Sequence, residues 1–277
     1  MEQNIHIYQI FYDEISRVSI APGFIPLDNS KNPRPDWFEF LPILNFLRNN
    51  QLDEDAWYGF LSPKFTSKTG YSSAYVINLL EKYGDIANVA LFSPDWDQLS
   101  YFLNPWEQGE IWHPGIKSAS QSFFKCQGVS IEIDGLVTDT TTSVFCNYII
   151  AKKVFWSEWR ALAELFFNYV EEGLFGNSLS NQNADYGSKE RQYPIKTFIQ
   201  ERFASLILAK EKYKVIMPDQ SISGPIFSKL FANDISTRRG LIACDLLKKR
   251  YREANDAEAL RLYWKIREGI RYAAPNH

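Results

Sequence analysis

A chain of 277 residues with 45% hydrophobic side chains and a formal net charge of −3 is long enough to bury a sizeable core, as one large domain or two. Its charged fraction of 23% and aromatic fraction of 16% exclude disorder over most of its length, since disorder needs few aromatics and a high net charge. Apolar runs such as Tyr148 to Ala151 and Leu206 to Ala209 fall far short of the ~20 residues that cross a bilayer.

Met1 to Tyr12 carries no basic n-region or small-residue cleavage site, and Cys126, Cys146 and Cys244 form no CxxC pair. The expectation is a cytoplasmic protein with reduced thiols, without a disulfide framework or a cysteine zinc site. Ile5, Ile7, Ile10 and Phe11 predict a buried first strand stopped by Asp13 and Glu14, followed by a polar loop. Residues 21–36 (APGFIPLDNSKNPRPD) contain four prolines and predict no regular structure before Asp36. Asp36 and Glu39 have capping-box spacing, but Pro42 would then fall inside the helix, so the helix starts near Leu41 or kinks.

Trp57 to Leu61 predicts a second strand, then a loop at Ser62, Pro63 and Lys64 and a helix over 72–83. Asn88 to Phe92 is a further short strand stopped by Ser93 and Pro94, and this alternation of strands and helices is that of an α/β fold. Residues 98–126 read as aromatic-rich and partly helical, 129–133 and 142–150 as strands. The stretch 155–172 is a strong helix, with Trp156, Trp159, Leu162, Phe166, Tyr169 and Val170 on one stripe. Between Gly176 and Gln192 only Leu179 and Tyr186 offer sizeable apolar surface, which predicts a long mobile loop. A helix over 197–212 and a last strand at 215–217 complete the order.

From Thr237 to Tyr272 ten Lys and Arg face five Asp and Glu, so this stretch carries +5 and residues 1–236 carry −8. Its cations alternate with Leu246, Leu247, Tyr251, Leu262, Tyr263, Trp264 and Ile266, the pattern of an amphipathic helical pair. Such a pair is either a solvated face or a surface drawn to anionic membrane lipid or a phosphorylated lipid carrier. Nucleic acid is not an expected partner of an acidic chain without a reading motif.

Three constellations can carry chemistry. Asp95-Trp96-Asp97 follows the strand NVALF, and two carboxylates one residue apart at a strand end can hold a divalent cation against a diphosphate. Asp53-Glu54-Asp55 has the same spacing but precedes its strand and reads as a solvated turn. Glu107, Glu110 and His113 recur every three residues in WEQGEIWHPG, where they can converge on a metal or supply a general base; the alternative is a structural histidine. Ser62, Lys64, Ser67 and Lys68 in LSPKFTSKTG can meet phosphates, or form an ordinary surface loop. Phe92, Trp96, Tyr101, Phe102, Trp106 and Trp112 crowd into 21 residues beside the acids, so they form either a ligand wall for sugar faces or part of an aromatic core. No GxSxG, HExxH or GxGxxG motif occurs, which disfavours serine hydrolases, zincins and Rossmann dehydrogenases.

The stretches NPRPDWFEFLPILNFL, LDEDAWYGFLSPKFTSKTG, LFSPDWDQ, FLNPWEQGEIWHPG and VFCNYIIAKKVFWSEW together resemble a bacterial family of glycosyltransferases of cell-surface polysaccharide clusters, over residues 5–250. More distantly the chain is similar to GT-A-type capsular transferases, whose strand-loop before the metal-binding acids corresponds to 57–64 here, without their paired arginines. The resemblance implies an α/β fold with a GT-A-like mixed sheet flanked by helices over 1–236, to which the charge pattern adds a basic helical extension over 237–277. The resemblance implies transfer of a sugar from a nucleotide-sugar to a glycan or lipid-linked acceptor; the cysteines and the basic helices add the expectation of a cytoplasmic enzyme with peripheral contact at the inner face of the membrane. In that scheme Gln9, Tyr12, Asp13, Lys64 and Lys68 bind the nucleotide, and Asp95 and Asp97 hold Mn²⁺ or Mg²⁺. Glu107, Glu110 and Asp97 are the catalytic candidates, and Trp106, Trp112 and His113 bind the acceptor. The alternatives are a non-catalytic carbohydrate- or partner-binding domain, and a metal-dependent hydrolase built on Glu107, Glu110 and His113.

Overall fold

A computed structural model describes residues 4–173, 183–185, 192–210, 213–221, 224, 226 and 229–272. The chain opens with β1 (Ile5–Phe11), α1 (Glu14–Val18) and β2 (Ile25–Asp28), then a single 3₁₀ turn at Pro35–Trp37 and α2 (Phe40–Asn49). β3 (Trp57–Leu61), α3 (Phe65–Thr69), α4 (Ser73–Tyr83) and β4 (Val89–Leu91) follow. Next come α5 (Trp96–Tyr101), α6 (Pro105–Trp112) and α7 (Ile116–Cys126), then β5 (Ile149–Lys152) and α8 (Lys153–Glu171). After β6 (Asn183–Asp185) and β7 (Gln192–Pro194) the chain forms α9 (Ile195–Gln200), α10 (Phe203–Leu208), β8 (Val215–Ile216), α11 (Ile235–Ala254) and α12 (Ala257–Glu268).

These elements form two compact units, Met1–Pro94 with Cys146–Asn168 and Lys210–Pro218, and Asp95–Phe145 with Tyr169–Ala209 and Asp219–His277. The division thus falls at Asp95 and not at 236. The helices α11 and α12 are part of the second unit's own core, to which they give Leu241, Cys244 and Tyr263.

The first unit is α/β. Its six-stranded sheet has the order β2-β1-β3-β5-β4-β8. β1 runs parallel to β2 and β3, β4 runs parallel to β8, and β5 runs antiparallel to both of its neighbours. Every residue of β3 is buried, as expected of a central strand covered on both faces. Gly59 is required there, because a Cβ would stand 2.7 Å from Ile150 Cγ1 across the β3–β5 pair. The stripe predicted for α8 is real: Trp159 and Phe166 pack on Phe40, and Trp156 meets Phe60 edge-on while its Nε1 donates to Tyr58 O at 2.9 Å.

Pro42 is the third residue of α2, where an N–H would have no intrahelical acceptor, so the helix begins close to Leu41 without a kink. Several elements, α1, β2 and α3 among them, occupy stretches expected to be irregular. α1 buries nothing and is held by a capping box in which Asp13 Oδ1 accepts from Ser16 N (2.7 Å) and Ser16 Oγ accepts from Asp13 N (3.0 Å). β2 is an edge strand and so tolerates Pro26.

The second unit is mostly helical. The strand predicted at 129–133 is absent, because the side chain of Gln121 takes its ladder groups: Gln121 Nε2 donates to Ile131 O (2.7 Å) and Oε1 accepts from Ile133 N (2.9 Å). Of the strand predicted at 142–150 only the end pairs. Residues 138–143 instead turn around buried Asp139, which accepts from Thr141 N at 2.7 Å and Thr141 Oγ1 at 2.5 Å. The helix predicted over 197–212 divides into α9 and α10 at Glu201 and Arg202. The Arg202 guanidinium turns inward there, donating to Phe198 O at 2.7 Å and Pro105 O at 2.8 Å. The loop expected between Gly176 and Gln192 lies mostly outside the described residues; within it Asn183–Asp185 pairs antiparallel with Gln192–Pro194.

Candidate functional site

From β1 the chain passes to β2 on one side and then crosses to β3 on the other. In open sheets of this kind, ligands lodge beyond the carboxyl ends of the strands at such a reversal, where diverging connections leave a crevice. The residues delivered to that edge are Tyr12 and Asp13 after β1, and Ser62, Pro63 and Lys64 after β3.

Gln9 braces this edge. It is 2% exposed, donates Nε2 to Ser62 O (3.4 Å) and accepts from Ala21 N (2.8 Å), so its amide ties the ends of β1 and β3 to the following loop. The Ser62 hydroxyl lies 3.0 Å from the Tyr148 hydroxyl, which the antiparallel course of β5 brings to the same edge. The Tyr12 hydroxyl is buried, and burial together with the Glu39 carboxylate beside it drives its pKa far upward, so it stays a neutral phenol. Glu39 follows Phe38, whose φ of 44° and ψ of −130° are strained for a residue with a Cβ. Asp13 is exposed and its carboxyl titrates below the usual range, because the Ser16 hydroxyl and N–H both donate to it. Lys64 and Lys68 are exposed at the two ends of α3, and the hydroxyl of Ser67 turns back onto Lys64 O at 2.9 Å. This edge therefore offers two solvated ammonium groups, a braced floor and a neutral phenol.

The remaining candidates belong to the second unit, where the structure disperses them. Asp95 stands before α5 in the left-handed region (φ 59°, ψ 51°), and Asp97 in the first turn of that helix is 0% exposed. Asp97 is thus withdrawn from solvent, while Asp95 is half-buried. Glu107 accepts from Leu103 N (2.6 Å) and from both Arg267 guanidinium nitrogens (3.0 and 2.7 Å), so its oxygens are taken as a structural bridge. Glu110 accepts from Gly115 N (2.7 Å) and Lys117 N (3.0 Å), which makes it the cap of α7.

His113 ends α6 and stacks on Phe198 with ring centroids 3.5 Å apart. Burial, with Arg202 nearby, pushes its pKa down to about 3, so the ring is neutral at pH 7. The physical reason for this dispersal is that residues three apart on a helix turn steadily around its axis. Among the described residues no group of three or more His, Cys, Asp or Glu could hold a metal. The aromatics beside the acids are core: Trp106 is 0% exposed and meets Phe124 edge-on, Trp96 is buried under the Arg238 guanidinium, and Trp112 is half-buried against the same cluster.

Part of the basic stretch is likewise drawn inward, while Arg239, Arg250, Arg261, Lys265 and Arg271 remain exposed. Lys248 is completely buried and donates to Leu99 O (2.7 Å) and Phe102 O (2.5 Å), Arg252 pairs with Asp139 (2.9 Å), and Arg238 donates to Ser221 O (2.8 Å) and Gly224 O (2.7 Å). Among the described residues no helix is long and apolar enough to cross a membrane. Sequence reasoning missed Tyr148 and Glu39 at the sheet edge, since they lie 86 and 23 residues from Ser62 and only the strand order joins them. No family model, curated protein or solved structure matches the chain.

Proposed function

We propose that the protein is a glycosyltransferase of surface polysaccharide biosynthesis, moving a sugar from a nucleotide-sugar donor to a glycan or lipid-linked acceptor, with the donor's nucleotide at the carboxyl edge of β1 and β3. The observation that supports this reading is the reversal of strand order at β1, with Tyr12 and Asp13 following β1, Ser62 and Lys64 following the adjacent β3, and Lys68 on the helix after it. The mixed sheet with its single reversed strand supports a GT-A-like arrangement.

In this scheme Lys64 and Lys68 neutralise the negative charge that builds on the departing nucleoside diphosphate, the largest electrostatic demand of the transfer. Tyr12 and Asp13 approach base and ribose. The donor set expected for Mn²⁺ or Mg²⁺ does not fit: Asp97 is fully buried, and among the described residues no group of three or more His, Cys, Asp or Glu could hold a metal, so no step is routed through one. Glu107 and Glu110 have structural partners and are given no part in proton transfer.

Thermal-shift and calorimetric titration with UDP- and GDP-sugars tests the reading. Binding should weaken at least 100-fold in a Lys64→Ala, Lys68→Ala double variant, because each charge-assisted contact is worth about 1.5–3 kcal/mol. Failure of every nucleotide to stabilise the protein would refute it.

A further inference from the structure

A cavity of about 330 Å³ opens in the first unit between the C-terminal end of α2 and the first turns of α8. It lies at the amino ends of the parallel strands: the last residue of β5, Lys152, pairs with the first residue of β3, Trp57, and α8 begins directly after it. The nucleotide edge proposed above is at the other end of β3, about 16 Å away along a strand of five residues.

Three cations line the cavity, Arg48, Lys153 and Arg160, and among its described lining residues there is no carboxylate. Each cation is held by a carboxylate outside the lining: Arg48 by Glu164 at 2.5 Å, Lys153 by Glu54 at 2.5 Å, and Arg160 by Glu164 at 3.8 Å. Two carboxylates against three cations leave one positive charge, on side chains already fixed in place, so little rotamer entropy remains to be lost when an anion arrives. Asn49 and Ser157 add neutral hydrogen-bonding groups, and buried Trp156, anchored by its bond to Tyr58 O, closes the floor. The volume is at the low end of small-molecule sites and matches a body the size of one sugar ring.

We infer that this cavity binds a phosphorylated monosaccharide, at a site separate from the nucleotide edge. The phosphate meets the guanidinium and ammonium groups, and the ring hydroxyls meet Asn49 and Ser157. The site stands whether or not the protein transfers sugars.

Calorimetric titration of the full chain with glucose 6-phosphate, inorganic phosphate and glucose tests it. Glucose 6-phosphate should bind at least tenfold more tightly than either of the others, and high salt should weaken it. A Lys153→Gln, Arg160→Gln double variant should lose at least tenfold in affinity. Ser157→Tyr, which fills the cavity from an exposed position, should abolish binding, whereas Lys64→Ala, Lys68→Ala at the far edge should leave it unchanged. Equal affinity for inorganic phosphate would remove the sugar from the inference. Absence of binding, indifference to the cavity variants, or loss on changing Lys64 and Lys68 would overturn it.

Discussion

Lys248 carries a charge that the fold must accommodate without water. It is 0% exposed, and burial lowers its pKa from 10.5 to about 8, although Asp245 and Asp139 pull the other way. The unfolded chain therefore holds more protons than the folded one between about pH 8 and 10.5, and stability rises with pH across that window. Below it the full cost of the buried ammonium is present, roughly 3 kcal/mol at 1.36 kcal/mol per pKa unit.

Replacing Lys248 by Met removes this cost but leaves Leu99 O and Phe102 O without their donor, at about 1–3 kcal/mol each. The two effects offset one another at pH 7, so the diagnostic is the slope. Wild type should gain about 2 kcal/mol relative to Lys248→Met between pH 7 and 9.5. The nearby Tyr263 phenol and Cys244 thiol, both pushed upward by burial, titrate in both proteins and largely cancel in the difference. Urea unfolding followed by tryptophan fluorescence at half-unit steps of pH measures it. A difference that stays flat from pH 7 to 9.5 would refute the argument that Lys248 is charged and dry in the folded state.

Gly109→Ala should destabilise by about 1–3 kcal/mol, because the new Cβ would stand 2.5 Å from Arg202 Nη2, a buried guanidinium held by Pro105 O, Phe198 O and Gln108; an unchanged thermal midpoint would contradict this. Glu107→Gln and Arg267→Met should each cost about 1–3 kcal/mol, and the double variant hardly more than either, since both remove one half-buried bidentate pair; additive losses in chemical denaturation would argue that Glu107 has another task. His113 has its pKa lowered from 6.5 to about 3, so the unfolded chain takes up its proton first on acidification and stability falls as pH drops below 6.5. Relative to His113→Phe, wild type should lose roughly 2 kcal/mol by pH 5, and parallel stability curves for the two proteins would exclude a buried neutral ring.

Much of the first unit is legible in local pattern. The runs at 5–11, 57–61 and 89–91 are strands because they are short, apolar and bounded by polar or proline residues, and α4 and α8 follow from caps and a single apolar stripe. These signals depend only on neighbours in the chain, as does the amphipathic pair at 235–268. The basic segment after β3 reads as a loop, whereas Lys64 caps and Lys68 lies within the five-residue α3.

What local pattern left open was the direction of β5, and with it the meeting of Ser62 and Tyr148, because strand order is set by long-range pairing. It also left open the use made of each charge. Glu107 and Glu110 had the composition of a reactive pair, yet one carboxylate bridges to Arg267, 160 residues away, and the other caps the next helix. The excess of cations near the C-terminus divides: Lys248, Arg252 and Arg267 turn inward to carbonyls and carboxylates, while Arg239, Arg250, Arg261, Lys265 and Arg271 stay exposed. A residue's type states what it can bind; which partner it takes is decided by packing, since a charge withdrawn from water must find its counterpart wherever the fold brings one.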